Sequence, residues 1–331
     1  MTHTVDGHEV ASGVRLSVVM PVLNAMRYLE RTVPPIVAAA SARNDLEVIF
    51  VDNGSSDGSL EYLLSMRSER VAVLEAADVS VSALRNRGAH EASAPVLSFI
   101  DADCLIDGDY FETALATLEA TGSAATGCLY DLPVAPSRLE EVWQDLHFVA
   151  ERGDVQWLAA GNFVVRRTAL TAVGGFDERL VTGEDAAICA RLREVGLRIY
   201  SNPDVRVRHL GNPQSFAEFY RQQVWHGLGA LGTVNLRVPD KPFLMTVAHV
   251  AVVLVGAVNL FVGGASLAAR MAEAFVTPFI VPAITVGYRM RGGTLRGRQI
   301  PLAVVLYCFY YWARLEALLI LMRGGASRYR K

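Results

Sequence analysis

Four short, largely apolar runs, each closed by polar or turn-forming residues, set the pattern of the chain. RLSVVMP (15–21), LEVIFV (46–51), VAVL (71–74) and VLSFI (96–100) are near-continuous rather than alternating, which predicts strands buried on both faces. Between them the apolar spacing turns helical: residues 25–42, with Leu29, Val33, Ile36 and Val37, then 59–68 and 80–92. This alternation predicts an α/β fold, a mostly parallel central sheet with flanking helices and right-handed crossovers. Ligands should then sit beyond the carboxyl ends of the strands. The polar clusters at 24, 52–57 and 101–103 all follow strand ends, so one face collects them. From 105 to 160 the signal weakens. An amphipathic helix is expected over 139–150 and a strand over 158–166, opened by a Gly-Asn turn. Gly174-Gly175-Phe176 breaks the next helix, and a further helix is expected over 184–195 with Gly196 as its C-cap.

After Pro242 the pattern changes. Residues 243–269 hold no Asp, Glu, Lys or Arg, more than the roughly 20 residues a membrane-spanning helix needs. Gly263-Gly264 offers a turn; 274–288 is uncharged but contains Pro278 and Pro282; 301–322 is apolar around Arg314 and Glu316. Two to three hydrophobic helices are therefore expected over 243–322. The basic residues Arg289, Arg291, Arg296 and Arg298 should face the cytoplasm, as a hairpin of 243–262 and 265–288 allows. A third full span would carry Arg323, Arg328, Arg330 and Lys331 to the other side, against the same rule. The expected organisation is a flexible tail (1–14), an α/β body (15–227), a linker (228–242), a membrane region (243–322) and a basic tail (323–331).

Composition sharpens this division. With 52% hydrophobic and 20% charged residues in 331, the chain is too apolar to be disordered. The net charge of -3 argues against a general nucleic-acid binder, yet it is unevenly spread: 241–331 holds 11 basic residues and two acids, while 1–240 holds 20 basic residues and 32 acids. An acidic body joined to a basic apolar tail points to a membrane surface. Cys104, Cys128, Cys189 and Cys308 form no CxxC and fit a reducing compartment. The first fourteen residues lack an apolar signal core, so the body is expected at the cytoplasmic face of the inner membrane.

Several clusters carry chemistry. Asp101-Ala102-Asp103 follows a strand, where two carboxylates suit a hard divalent cation, Mg²⁺ or Mn²⁺. Asp52 heads Asn53-Gly54-Ser55-Ser56-Asp57-Gly58, a carboxylate beside backbone donors. Arg85-Asn86-Arg87-Gly88 offers guanidinium groups for a diphosphate. Thr182-Gly183-Glu184-Asp185 places carboxylates at a helix start, available to a general base or to N-terminal capping. Arg221-Gln222-Gln223-Val224-Trp225-His226 precedes the apolar tail, as an aromatic ligand platform or an interfacial belt. No GxGxxG follows any strand, which counts against a dinucleotide fold.

In order, MPVLN (20–24), VDNGSSDGS (51–59), LRNRG (84–88), DAD (101–103), AAGNFVVRR (159–167), GGFDERLVTGED (174–185) and RQQVW (221–225) resemble the family 2 glycosyltransferases of GT-A fold, over about residues 15–227. The resemblance implies a nucleotide-diphosphate sugar donor, a divalent metal and inversion at the anomeric carbon. It puts Pro21 and Asn24 at the first nucleotide loop, Asp52 on the base or ribose, and Arg85 and Asn86 near the nucleotide. Asp101 and Asp103 would hold metal and diphosphate, and Gly161 and Asn162 would line the sugar site. Asp185 would be the catalytic base, with Glu184 as the other candidate. Leu84 replaces the family's usual alanine, and Val224 stands where processive members carry Arg. His209, in RHLGNP, is either a metal or phosphate contact or a structural histidine, and Arg221 and Trp225 fall on the acceptor or diphosphate side. The apolar tail suggests a lipid-linked acceptor in envelope or exopolysaccharide assembly. Two other classes compete: a nucleotidyltransferase on a related fold, and a non-catalytic membrane scaffold.

Overall fold

A computed structural model describes residues 13–147, 151–232, 241–290 and 295–324, and the backbone of 4–5 and 8–9. Thr4–Val5 (β1) and His8–Glu9 (β2) pair antiparallel within the segment expected as a flexible tail. The body then runs β3 (Leu16–Val22), α1 (Met26–Ala42), β4 (Leu46–Asp52), α2 (Ser59–Ser65), β5 (Val71–Glu75), α3 (Val81–Glu91), β6 (Val96–Ile100), β7 (Cys104–Ile106), α4 (Tyr110–Thr121) and β8 (Ala125–Gly127). After α5 (Arg138–His147) come β9 (Gly153–Asp154), β10 (Asn162–Arg166), α6 (Arg167–Ala172), α7 (Glu184–Glu194), β11 (Ile199–Ser201) and β12 (Val207–His209).

The main sheet has the order β5-β4-β3-β6-β10-β8-β11-β9. Its first four strands are parallel; β10 pairs antiparallel with both β6 and β8. Every residue of β3 is buried, as a strand covered on both faces requires. Its side chains divide by parity: Leu16, Val18, Met20 and Val22 pack with Leu29, Val33 and Ile36 of α1 and with Tyr110 and Phe111 of α4. Val19 turns the other way, toward Leu84, Leu170, Ile188 and Leu192. Gly88 of α3 lies directly against the Val19 side chain, so a Cβ there would push the helix off the sheet. The chain goes from β3 outward to β4 and β5, then returns to β6 on the other side. The polar ends of β3, β4 and β6 therefore border the switch point where α/β sheets bind ligands.

The strand expected over 158–166 begins only at Asn162, because 158–161 forms the turn before it. The expected helix at 139–150 is α5; residues 148–150 lie outside the described part. The periodicity reading omitted β7, β8, β11, β12 and α4. Each of those strands has only three residues, below the length at which alternation is visible.

The chain divides into two compact units: 1–134 with 150–211 and 330–331, and 135–149 with 212–329. The second unit holds α5 together with α8 (Phe216–Gly232), α9 (Lys241–Val262), α10 (Leu267–Arg289), a 3-10 turn (Gly297–Gln299) and α11 (Ile300–Met322). By length and composition, α9, α10 and the 297–322 segment are each able to cross a membrane. Ser266 caps α10 by accepting from the Ala269 N–H, and Gly256 of α9 abuts Thr277 of α10. α10 runs unbroken through Pro278 and Pro282. Pro282 has no N–H for the Pro278 carbonyl, and the Cys308 thiol of α11 donates to that carbonyl at 3.5 Å. Much of the 228–242 linker, Arg291, Arg328, Arg330 and Lys331 lie outside the described residues.

Candidate active site

At the carboxyl ends of β3 and β4 two loops lock together. Asn24, at φ 48°, accepts from the Ser56 N–H at 2.8 Å, and its own N–H donates to Ser55 Oγ at 2.9 Å. The Ala25 and Met26 N–H groups donate to Ser59 and Asp57. Asp52 is fully buried. Its Oδ1 accepts from the Gly54 and Ser55 N–H groups at 2.8 and 2.9 Å, while its Oδ2 is buried with no partner. A buried carboxylate oxygen left unpaired is costly. Pro21 lies within β3 below this loop.

β6 delivers Asp101 and Asp103 on a tight turn. The Cys104 N–H donates to the Asp101 carbonyl at 2.9 Å, and Thr32 Oγ1 of α1 donates to the Ala102 carbonyl at 2.8 Å. The two carboxylates then part. Asp101 Oδ1 accepts from Arg85 Nη2 at 2.6 Å, and its Oδ2 lies against Gly161, where a Cβ would collide with it. The Gly161 N–H donates to the Tyr130 hydroxyl at 3.0 Å. Asp103 faces His209 instead, with Oδ2 3.3 Å from Nε2, and Gly211 leaves the space its carboxylate occupies. The antiparallel pairing of β12 with β7 sets His209 opposite Cys104. Asp103, Cys104 and His209 each offer a ligand atom within 4.8 Å of the others. Burial, with the nearby Asp103 and Asp101 charges, holds the Cys104 thiol well above its usual pKa.

α7 starts with Glu184 and Asp185 in its first turn. The adjacent acids have different surroundings. Glu184 is buried, its Oε1 2.7 Å from Arg85 Nη1. Asp185 is half-buried and accepts from the Ala186 N–H. Desolvation, and next the Glu184 charge, push its pKa up to about 6. Asp101, Asp103 and Asp185 all act on the half-buried Tyr130 residue, whose phenol pKa burial first, and then Asp101, Cys104 and the other two acids, hold well above its usual value. The three acids thus share one environment.

Three side chains expected at the nucleotide or sugar make hydrogen bonds within the protein. Arg85 is buried, its two Nη atoms on Asp101 and Glu184 and its guanidinium 5.5 Å from the Phe176 ring centre. Burial would lower its pKa, but those two charges outweigh that and raise it. Asn86 accepts from the Phe176 N–H and donates to the Phe176 carbonyl and Glu178, fixing the loop before α7. Asn162 is fully buried, donating to the Cys128 and Val205 carbonyls and accepting from the Tyr110 hydroxyl. Arg221 and Trp225 belong to α8 of the second unit. Tyr130, Thr32 and Gly211 were not picked out from the sequence. Tyr130 stacks on His209 at 4.8 Å, and nothing in its sequence neighbourhood signals this.

The chain matches the glycosyl transferase family 2 profile over 17–171 and the glycosyl transferase family group 2 profile over 96–321, and it belongs to this family. It is 25% identical over 226 residues to glycosyltransferase AglE of Haloferax volcanii, covering 65% of this chain and 73% of the relative. To validoxylamine A glucosyltransferase of Streptomyces hygroscopicus it is 29% identical over 219 residues, 55% of this chain and 52% of that one. To succinoglycan biosynthesis protein ExoA of Rhizobium meliloti it is 26% identical, over 55% and 59%. The chain thus spans little more than half the length of the latter two. The solved mannosyltransferase PcManGT from Pyrobaculum calidifontis, in complex with GDP-Man and Mn²⁺, shares the fold: TM-score 0.58 at 16% identity, covering 94% of this chain and 87% of that one. Family membership removes the nucleotidyltransferase and scaffold alternatives.

Proposed function

We propose that this glycosyltransferase is an inverting, metal-dependent enzyme that moves a sugar from a nucleoside-diphosphate donor to a lipid-linked acceptor at the cytoplasmic face of the inner membrane. The observation that carries this is that Asp101, Asp103 and Asp185 all lie close to Tyr130, with Asp52 at the carboxyl end of β4 in the same sheet that delivers Asp101. The unpaired Asp52 Oδ2 accepts a hydrogen bond from the base or ribose. Asp103 and His209 fit a divalent cation: one oxygen and one imidazole nitrogen 3.3 Å apart, a mixed set that favours Mn²⁺ over the all-oxygen preference of Mg²⁺. When bound, that cation supplies positive charge against the diphosphate. Asp101, held by Arg85, borders the Gly161 backbone where the sugar approaches. Asp185 takes the proton of the acceptor hydroxyl. The new bond from that oxygen to the anomeric carbon forms as the bond to the diphosphate oxygen breaks, and the nucleoside diphosphate leaves. No covalent nucleophile is needed, which is the support for inversion. The apolar helices support an acceptor built on a membrane lipid, and the succinoglycan biosynthesis relative supports a place in polysaccharide assembly.

The test is release of nucleoside diphosphate from UDP- and GDP-sugars with Mn²⁺ or Mg²⁺, with and without lipid extract, using the full chain in detergent. Release that depends on metal and rises with lipid extract is expected. Asp185→Asn should bind donor as the parent does and transfer nothing. Turnover by Asp185→Asn at the parent rate would remove Asp185 from the role of base.

A further inference from the structure

Within the second unit, Arg221 of α8 and Arg323 just after α11 are exposed and need no protein partner. Arg314 of α11 is different. Its Nε and Nη1 are buried and donate to nothing, and it forms no ion pair with any described residue. We propose that Arg314, with the Tyr310 ring and the α8 backbone at Gly227, is a binding site for the phosphate group of a membrane lipid.

The setting of Arg314 is apolar on both sides of the helix that carries it. α11 is built into the bundle: the Cys308 thiol donates to the Pro278 carbonyl of α10, the Tyr311 hydroxyl lies 2.6 Å from Thr285 Oγ1, and the Tyr311 ring stacks on His249 of α9 at 5.1 Å. Toward α8, Ala313 and Ala317 pack with Val224 and Leu228. Arginine keeps its charge in proteins, and a charge among apolar helices is costly unless it is paired. One neighbour is in place: the guanidinium carbon sits 4.8 Å from the Tyr310 ring centre. A cation over a ring is attracted to its face, but that contact satisfies no N–H group.

The acids of the apolar region do not supply the counter-charge. From 241 onward there are two, Glu273 and Glu316. Glu273 accepts from Asn259 Nδ2 at 2.8 Å. Glu316, two residues beyond Arg314 and so roughly 200° around the helix, accepts from the Tyr220 hydroxyl at 2.6 Å. Gly227 adds the second half of the site. A Cβ there would fall 2.6 Å from the Ala317 Cβ and 3.3 Å from Arg314 Nη1. The backbone of α8 therefore comes close to α11, and at residue 227 no side chain stands beside the guanidinium.

Unused N–H groups on a planar guanidinium match the oxygens of a phosphate. The apolar surroundings decide which phosphate. A free anion would shed its water among Val224, Leu228, Ala313 and Ala317 for little in return, whereas a phosphate on a hydrocarbon chain buries apolar surface as it arrives. Three segments of this unit are apolar enough to cross a membrane, so lipid is the phosphate source at hand. Binding at Arg314 is separable from sugar transfer: a chain inactive with every donor would still bind the lipid.

The test titrates the full chain in dodecyl maltoside with dioleoylphosphatidic acid, dioleoylglycerol or inorganic phosphate, with binding read by native mass spectrometry. Phosphatidic acid is expected to bind, and the other two are not at the same concentration. Arg314→Met should weaken phosphatidic acid binding by about tenfold or more. Without lipid it should melt no lower than the parent, because it removes an uncompensated buried charge. Parent-like affinity in Arg314→Met would overturn the proposal, as would dioleoylglycerol binding as tightly as phosphatidic acid. Inorganic phosphate binding as tightly would make this a free-anion site and overturn the lipid assignment. A lipid-free Arg314→Met melting well below the parent would show that the guanidinium serves the fold, and would overturn the proposal too.

Discussion

Asp185 illustrates what a proposed catalytic group costs at the residue scale. Desolvation and the neighbouring Glu184 charge hold its pKa at about 6, so the folded protein binds a proton there that the unfolded chain releases near 4. Between about pH 4 and 6 the folded state carries the extra proton, and stability falls as pH rises through that window. At neutral pH the ionised carboxylate is therefore a net destabiliser. Asp185→Asn should raise the folding stability at pH 7 by on the order of 1 kcal/mol, allowing for its partial exposure, while abolishing transfer; calorimetry beside the activity assay reads both. The pH profile has the same origin. A base must be ionised to act, so the rate should fall about tenfold per unit below pH 6 rather than below 4, and a profile flat down to pH 5 would contradict the assignment. Arg85 has the opposite balance. It is the buried counter-charge of Asp101 and Glu184, and its loss leaves a buried carboxylate uncompensated. Arg85→Met should destabilise by about 3 kcal/mol, measured by denaturant unfolding, whereas loss of donor affinity at unchanged stability would mark a direct nucleotide contact.

At the scale of elements, the site is assembled by pieces of very different visibility. The long parallel strands announce themselves as apolar runs because both their faces are buried, and the acids at their ends, Asp52, Asp101 and Asp103, could be placed from that alone. α7 was equally legible, from its periodicity and the Gly196 that ends it at φ 79°. Illegible was the pairing of β12 with β7. Two three-residue strands carry no period, and their contact joins positions about a hundred apart in the chain. Yet that pairing turns His209 from a residue with two open roles into the neighbour of Asp103. The partners of Arg85 and Asn162 were hidden for a related reason: a motif says that an arginine is there, not which carboxylates it meets when the helix packs. Gly211 belongs to the same class. Its missing Cβ is the space the Asp103 carboxylate fills, and the obstruction is the free end of a side chain, so the fold can yield around it. Gly211→Ala is expected to leave the melting temperature nearly unchanged and to weaken Mn²⁺ binding at least tenfold by turning Asp103 away from His209. Titration of Mn²⁺ with the variant checks this, and parent-like affinity would separate Asp103 from the metal.

For the whole molecule, the charge division along the chain is the most informative sequence property. The acidic body can keep its ionised groups hydrated, and only a segment whose backbone bonds are internally satisfied can enter lipid. Among the described residues, α9 meets that requirement best. It has no ionisable Asp, Glu, Lys or Arg after Lys241, its outward positions are apolar, and its contact with α10 includes a close approach of small groups, Gly256 against Thr277, of the kind that packs helices where no hydrophobic driving force acts between them, beside the Asn259–Glu273 hydrogen bond. On the proposed membrane reading its exposed positions face lipid rather than protein, and a charge there should act on membrane attachment and not on the active site. Val255, near the middle of α9 and 57% exposed, is the discriminating position. Val255→Arg places a guanidinium at the helix centre at a cost of about 2.5–3.5 kcal/mol on insertion scales. The protein should shift from the carbonate-resistant membrane fraction toward the carbonate-extractable one, while donor hydrolysis by the detergent-solubilised variant stays at the parent level. Unchanged carbonate resistance would mean that this face of α9 is covered by protein and that the hairpin is not the anchor. Lost hydrolysis in detergent would mean that α9 supports the catalytic unit directly.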